Sequence, residues 1–364
     1  MTDSRHKGVP PPQAKVDRRH FINTAGASLA ALAGAPELMT GMQVAQAVPQ
    51  ATVGGASPDL IVINATVYTM DPRAPRAEAF AVSGGRFVAV GSTSDVRNLA
   101  GIQSGFGDEW LKFGATSEHT VDGSFSERTM ALSTPYPGVT PPYKGNLTET
   151  QDTLNAWVER VHRAGIQVNC HANGDVAIDM YLTAMERALK LVPRADSRPK
   201  ITHCTQVNPL LVARIKALGA VPALFTTYAY YNPDKFVFYG EELMTSCMAF
   251  RSLLDAGIYA CAGSDFQPGP FAPLMGIQGM VTRKGWDGKV WGGNQRISVR
   301  EAIAVNTYHG AWASGEEALK GSITAGKLAD YVVLAADPHT IEAEKIKDIQ
   351  IVRTVVGGTI SHQA

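Results

Sequence analysis

The chain has 364 residues, 45% of them hydrophobic and 18% charged, a composition that suits an enzyme-sized globular protein of one large domain or two smaller ones and excludes a disordered tail. Lys plus Arg and Asp plus Glu both number 33, so there is no basic field to draw in nucleic acid and no acidic run to act as a solvating tail. Small, neutral partners are expected. The four cysteines, Cys170, Cys204, Cys247 and Cys261, lack the paired spacing of a zinc ribbon or a disulfide framework, and three of them fall in apolar strand-like runs, so they read as core.

The first feature along the chain is an address. Arg18 and Arg19 in "DRRHFINTAGASLAALAGA" precede a mild apolar stretch, and "AQA" at Ala45 to Ala47 offers a small-residue cleavage site. A short N-terminal helix is the plainer alternative, but the three features occur in the order of a twin-arginine export signal. Residues 1–47 are therefore set apart as a signal peptide, and the mature protein is expected in the periplasm. No later segment approaches the run of about 18 apolar residues that a membrane span needs, so no membrane partner is expected once the leader is removed.

Residues 58–100 contain "DLIVINATVYTMDPRAPRAEAFAVSGGRFVAVG", short strands punctuated by Asp-Pro and Gly-Gly. Residues 316–364 give the same impression through "GSITAGKLADYVVLAADP" and "IQIVRTVVGGTI". Two β-rich ends around a middle of different periodicity predict a small β-sandwich assembled from both chain ends.

The middle, residues 104–315, alternates strand and helix. "KFGATSE", "IQVNCHA", "KITHCTQ", "AVPALFT" and "IYACAGSD" are short apolar runs. Between the first two, Leu154, Trp157, Val158 and Val161 share one helical face, with Thr148 and Gln151 as the expected capping box and Gly165 as the stop. Ile178, Leu182, Met185 and Leu189 mark a second helix. A third should open on Asn208 and Pro209 and close at Gly219. Repeated strand-then-helix units imply parallel strands with helices outside, hence an α/β fold of the TIM-like (β/α)8 barrel type, with a doubly wound open sheet as the runner-up.

In such barrels the chemistry lies at the C-terminal ends of the strands. Glu118, His171, His203 and Asp265 fall there, one per strand unit. Two imidazoles and two carboxylates can hold a divalent metal, zinc first among the candidates, and Asp265 could accept a proton as water attacks a carbonyl. Taken singly, a strand-end histidine is more often a hydrogen-bonded structural residue, and "GSD" more often caps a turn; their common end and regular order favour the metal reading. His119 should face away from Glu118 on an extended strand and is read as supporting or structural. His162 and His309 lie in helical stretches and read as structural, while His6, His20, His339 and His362 receive no role.

At this point the chain resembles the amidohydrolase superfamily, in particular the branch that includes N-substituted formamide deformylases. "DLIVINATVYTMDP" and "GRFVAVG" are similar to that branch's opening β-sandwich segment, "KGSITAGKLADYVVLAADP" with "TVVGGTI" to its closing one, and "HANGDVAID", "ITHCTQ" and "GSD" to its strand-five, strand-six and strand-eight motifs. "TVDGSFSERTMALSTPY" resembles the segment after strand four. The resemblance implies His171 and His203 as metal ligands and Asp265 as ligand and general base. Where many relatives carry a bridging carbamylated lysine on strand four, this chain has Glu118, whose own carboxylate can bridge.

The family's His-x-His pair at the end of strand one has no counterpart here. "VRNLAGIQSGFGDEWLKFG" runs from the first sandwich segment directly to the approach of strand four, so barrel strands one to three are expected to be missing and the barrel to be incomplete. Without that pair the expectation is one metal rather than two. An opened barrel should also expose strand edges and apolar surface, which favours a homo-oligomer. The resemblance thus implies a metal-dependent amidohydrolase acting on a non-peptide C–N bond of a small amide-like substrate (an amide, formamide or cyclic amide). The alternatives are a catalytically inactive truncated paralogue or ligand-binding remnant and, ranked last because it leaves the two-ended β domain unexplained, a periplasmic solute-binding protein.

Overall fold

A computed structural model describes residues 60–93, 96, 104–105, 111–266 and 268–364 of the chain. The twin-arginine leader, residues 1–47, lies outside the described residues. Met70–Pro75 falls outside the larger compact unit and forms a turn in which the Ala74 N–H donates to the Asp71 carbonyl at 3.1 Å. The other described residues belong to one larger compact unit.

That unit opens with β1 (Leu60–Val62), a short antiparallel pair of β2 (Val67–Tyr68) with β3 (Arg76–Ala77), then β4 (Ala79–Ser83) and β5 (Arg86–Gly91). β1, β4 and β5 form one antiparallel sheet. Gly84 and Gly85 join β4 to β5 with positive φ at both positions, the two-residue turn whose twist suits a hairpin and which side chains with a Cβ adopt only at a cost. Ala79, Ala81 and Val96 make the small core of this sheet.

The middle of the chain builds a five-stranded, all-parallel sheet in the order β6-β7-β8-β9-β10. β6 is His119–Thr120. Helix α1 (Gln151–Arg163) follows, then β7 (Asn169–Ala172), α2 (Asp175–Leu191), β8 (Lys200–His203), α3 (Pro209–Leu218) and β9 (Val221–Phe225). Four short helices, α4 (Tyr228–Tyr231), α5 (Pro233–Phe236), α6 (Gly240–Met244) and α7 (Phe250–Asp255), lead to β10 (Cys261–Gly263). Each strand pairs with its successor in the chain, for example Thr120 with His171, Ala172 with His203 and Ala223 with Cys261. Parallel neighbours require a crossover, and the helices supply it. All five apolar runs expected as strands lie along this sheet. "KFGATSE" contributes less regular pairing than the others: its Ala115 makes an isolated parallel bridge to Gln167, and the assigned strand begins only at His119.

The local chemistry of the helices explains their limits. α1 begins at Thr150, not Thr148: the Thr150 hydroxyl accepts from the Thr153 N–H while the Thr153 hydroxyl accepts from the Thr150 N–H. Thr148 instead donates its hydroxyl to the Thr120 carbonyl at 2.6 Å, tying the loop to the strand end. A threonine at N3 can thus do what Glu or Gln usually does there. α3 starts as expected, with Asn208 Oδ1 accepting from the Leu211 N–H at 2.9 Å and Pro209 in the first turn, and it stops at Gly219 in the left-handed conformation (φ 59°). α1 packs on α2, and α2 on α3. Ile178, Leu182 and Met185 of α2 are completely buried beside Cys170 and Ala172 of β7 and Ile201 of β8 in the main core. Each such side chain contributes about 1.5–3 kcal/mol by leaving water. All four cysteines are buried and unbridged.

Beyond β10 lie α8 (Pro273–Thr282), α9 (Val299–Asn306) and α10 (Tyr308–Ala313). Ala313 and Trp312 of α10 pack with Val221 and Ala223 of β9 and Cys261 of β10 in a separate small cluster. The chain ends in a second antiparallel sheet of β11 (Tyr331–Leu334), β12 (Ile351–Val356) and β13 (Thr359–Gln363). Its last hairpin again turns on two glycines with positive φ, Gly357 and Gly358.

Candidate metal centre

Strand alternation sorts the parallel sheet into two faces. Cys170, Ala172, Ile201 and Leu224 point into the helix-covered core. Glu118, Thr120, His171 and Phe225 line a cavity of about 400 Å³ at the carboxyl ends of the strands, together with Ser124, Asn173, His203, Asp265 and Pro268. His203 breaks the alternation, since Ile201 on the same strand faces the core. The reason is local: His203 (φ 77°) and Cys204 (φ 42°) both adopt the left-handed backbone that residues with a Cβ seldom take. Such conformations cost about 1–3 kcal/mol each and concentrate at functional positions.

Glu118, His171 and His203 each bring one donor atom to within 4.8 Å of the other two. Glu118 Oε1 lies 3.2 Å from His203 Nε2, and the two imidazole rings meet edge to face, with centroids 4.5 Å apart. Hydrogen bonding to His203, against a smaller opposing effect of burial, holds the Glu118 carboxyl below its ordinary pKa, so it is a carboxylate at neutral pH. Two imidazole nitrogens and a carboxylate oxygen are a donor set that zinc and its neighbours accept, with room left for water.

A further carboxylate stands behind the cluster. Asp122 is almost completely buried, and its Oδ1 lies 3.3 Å from His171 Nδ1, a buried nitrogen with no aligned hydrogen bond of its own. The same carboxylate accepts from the N–H groups of Ala131, Asn173 and Gly174 at 2.8–2.9 Å. It therefore fixes the loop after β7 as well as one edge of the imidazole, leaving Nε2 on the side of Asn173, whose amide nitrogen is 3.2 Å away. A carboxylate behind a ligating histidine sets the ring's orientation and raises its basicity. Burial pulls the His171 pKa down, but Asp122, assisted by the charge of Glu118, outweighs it, and the net shift is upward. Close packing adds to the constraint: a Cβ at Gly174 would fall 1.8 Å from the Ala131 carbonyl oxygen.

Asp265 lines the same cavity but stands outside the three-residue group. Its Oδ2 accepts a 2.6 Å hydrogen bond from the Tyr228 hydroxyl. Three other histidines are engaged elsewhere. His119 Nε2 lies 2.7 Å from Glu149 Oε1, and its ring stacks on Trp157 at 3.9 Å. His162 bonds the Val192 carbonyl and His309 the Ala260 carbonyl, each at 2.8 Å.

Sequence reasoning singled out Glu118, His171, His203 and Asp265, and all four line one cavity. It gave no role to Asp122 or Asn173, and read Tyr228 only with its loop's tyrosines, as contacts for an apolar or aromatic ligand or as packing. Asp122 carried one usable signal, its place four residues beyond Glu118 just past a strand end. Tyr228 carried none, because a tyrosine in an aromatic-rich loop reads equally well as packing.

The sequence profile described as "Amidohydrolase family" matches residues 44–362. The chain belongs to the amidohydrolase family. Among curated proteins, this amidohydrolase is 28% identical over 206 residues to the N-substituted formamide deformylase of Arthrobacter pascens, covering 56% of this chain and 38% of that one. It is 28% identical over 254 residues to the Arabidopsis thaliana protein LONG AFTER FAR-RED 3, covering 69% and 43%. Among solved structures it resembles an uncharacterized metal-dependent hydrolase from Pyrococcus furiosus with a TM-score of 0.56 and 25% identity, over 68% of this chain and 50% of that one. The amidohydrolase thus spans half or less of the length of these relatives.

Proposed function

We propose that this chain is a metal-dependent amidohydrolase that hydrolyses a non-peptide C–N bond of a small amide-like molecule around a single divalent ion, zinc first among the candidates. The observation that carries the reading is the convergence of Glu118, His171 and His203 in one cavity that Asp265 also lines. In this reading Glu118, His171 and His203 would hold the ion, which when bound would supply Lewis-acid chemistry, lowering the pKa of water and polarising a carbonyl. Asp265 accepts the proton that water loses as its oxygen bonds to the carbonyl carbon. The same proton passes to the departing nitrogen as the C–N bond breaks, so the products are a carboxylic acid and an amine. Asp122 keeps His171 aligned. Glu118 takes the place of the bridging lysine of many relatives, and with one ion it serves as an ordinary ligand.

The parallel sheet is read as part of a (β/α)8 barrel and the two terminal sheets as halves of a β-sandwich. Export by the twin-arginine route belongs to the same proposal; Arg18→Lys with Arg19→Lys should leave the precursor in the cytoplasm, and undiminished periplasmic protein would refute that part. The absence of a His-x-His pair from the sequence favours a second reading, an inactive remnant that retains the cavity. Metal per purified, leaderless chain, followed by turnover of a panel of formamides, linear amides and cyclic amides with and without chelator, separates the two. Chelator-sensitive release of amine supports the hydrolase. Absence of turnover by a protein that has bound its metal supports the remnant.

A further inference from the structure

Asp265 is held by more than one contact. Its own backbone is left-handed (φ 54°), and its carbonyl accepts from the Gly269 N–H at 2.8 Å. The turn that carries it is pressed against the segment after β9: a Cβ at Gly269 would fall 1.9 Å from the Ser264 carbonyl oxygen, 2.9 Å from Thr227 Oγ1 and 3.0 Å from a Tyr228 ring carbon. Tyr228 is itself immobilised. Its ring is buried and stacks on Phe225 at 4.2 Å, nearly parallel; Phe225 in turn stacks on His203 at 4.5 Å. The column His203–Phe225–Tyr228 therefore begins at a member of the donor cluster and ends at the hydroxyl that grips Asp265 through a 2.6 Å bond.

We propose that Tyr228 is a positioning residue that holds Asp265 out of the coordination sphere of the ion bound by Glu118, His171 and His203. This deepens the metal-centre reading above and rests on it. The physical basis is competition for one carboxylate. A carboxylate that joins a metal loses freedom to exchange protons, whereas one tied to a neutral phenol keeps its second oxygen for water. The stacked column restrains the phenol, so an Asp265 side chain that turned toward the ion would have to give up its bond to the Tyr228 hydroxyl.

The test needs no substrate. Co²⁺ affinity, measured by chelator competition, and the visible absorption of the Co²⁺ form are compared for the full-length wild type, Tyr228→Phe, Asp265→Asn and the double variant; circular dichroism verifies folding of each. Tyr228→Phe preserves the stacked ring and removes only the hydroxyl. The expected result is that Asp265→Asn leaves affinity and spectrum close to wild type. Tyr228→Phe should tighten Co²⁺ by about tenfold, the scale on which residues supporting a ligand act, and lower the visible absorption as a further ligand joins. The double variant should return to wild type. The proposal is overturned if Asp265→Asn alone weakens Co²⁺ about tenfold or more, which would make Asp265 a ligand already, or if Tyr228→Phe matches wild type in both readouts. A wild type that takes up no Co²⁺ would remove the metal-centre reading and this inference together, whereas normal uptake with an indifferent Tyr228→Phe removes only the inference.

Discussion

The parallel sheet and the two terminal sheets are built from similarly apolar strands but treat them differently. In the middle of the chain the strands are covered: Cys170, Ala172, Ile201 and Leu224 are fully buried against helices. At the ends, apolar side chains of the antiparallel sheets face water, among them Phe87 (68% exposed) in β5 and Ile360 (52% exposed) in β13. The difference lies in what the sequence places after each strand. A strand followed by an amphipathic helix receives its own cover, while a hairpin closed by Gly84–Gly85 or Gly357–Gly358 folds back on its neighbour and leaves a face open. The donor cluster lies at the carboxyl ends of the covered strands, where His203 and Cys204 keep their left-handed backbone.

The sharpest test of that contrast removes a donor from the covered region. His203→Ala should reduce bound metal from about one per chain to near zero, and His171→Ala should do the same, measured as metal content of the purified protein. Full metal content in both variants would refute the ligand assignment. Next in size is core packing. Leu182→Ala, at a completely buried site, should cost about 2–5 kcal/mol in chemical denaturation, whereas Ile360→Thr on the exposed sheet should stay within about 0.5 kcal/mol. A loss well above that for Ile360→Thr would mean that the face of β13 is covered in solution, and the contrast between the two regions would fail.

A smaller effect belongs to the helix that separates β8 from β9. Asn208→Ala removes the side-chain oxygen that satisfies the Leu211 N–H and should cost about 1 kcal/mol, with Asn208→Ser nearly neutral. Equal losses in the two variants would show that the cap contributes through something other than that acceptor.

How far the sequence reveals this molecule depends on how local each determinant is. The covered strands, the helix faces and the Asn208, Pro209 and Gly219 punctuation were readable because each rests on spacing within a few residues. So was the gathering of Glu118, His171, His203 and Asp265 around one cavity, since it needs only the rule that parallel strands present one end together. The start of α1 was misplaced by two residues because Thr148 and Thr150 are equally good caps in isolation; the hydroxyl of Thr153, returning to the Thr150 N–H, decides between them. Asp122 behind His171 and Tyr228 beside Asp265 join segments 49 and 37 residues apart. Neither contact follows from any local period, so neither was visible before the strands were assembled.

The last and smallest expected effect is a change of slope, and it too belongs to the covered region. Burial lowers the pKa of His309 below its ordinary value of 6.5, against the opposing hydrogen bond to the Ala260 carbonyl, and burial likewise lowers that of His162. A histidine whose folded pKa is depressed is protonated more readily in the unfolded chain. The unfolded state therefore binds more protons in acid, and stability is lost as pH falls from about 6.5 toward the folded pKa. Above that window both states are neutral at these residues and the effect vanishes. His309→Asn, which cannot titrate, should flatten stability against pH below about 6.5 while leaving the dependence above it unchanged, as read by denaturant midpoints between pH 5 and pH 8. The slope is the informative quantity, because the substitution also alters the bond to Ala260 and so shifts the level at every pH. An unchanged acid slope in His309→Asn would show that His309 does not enter the folded state with a depressed pKa, and burial as the cause of that shift would have to be withdrawn.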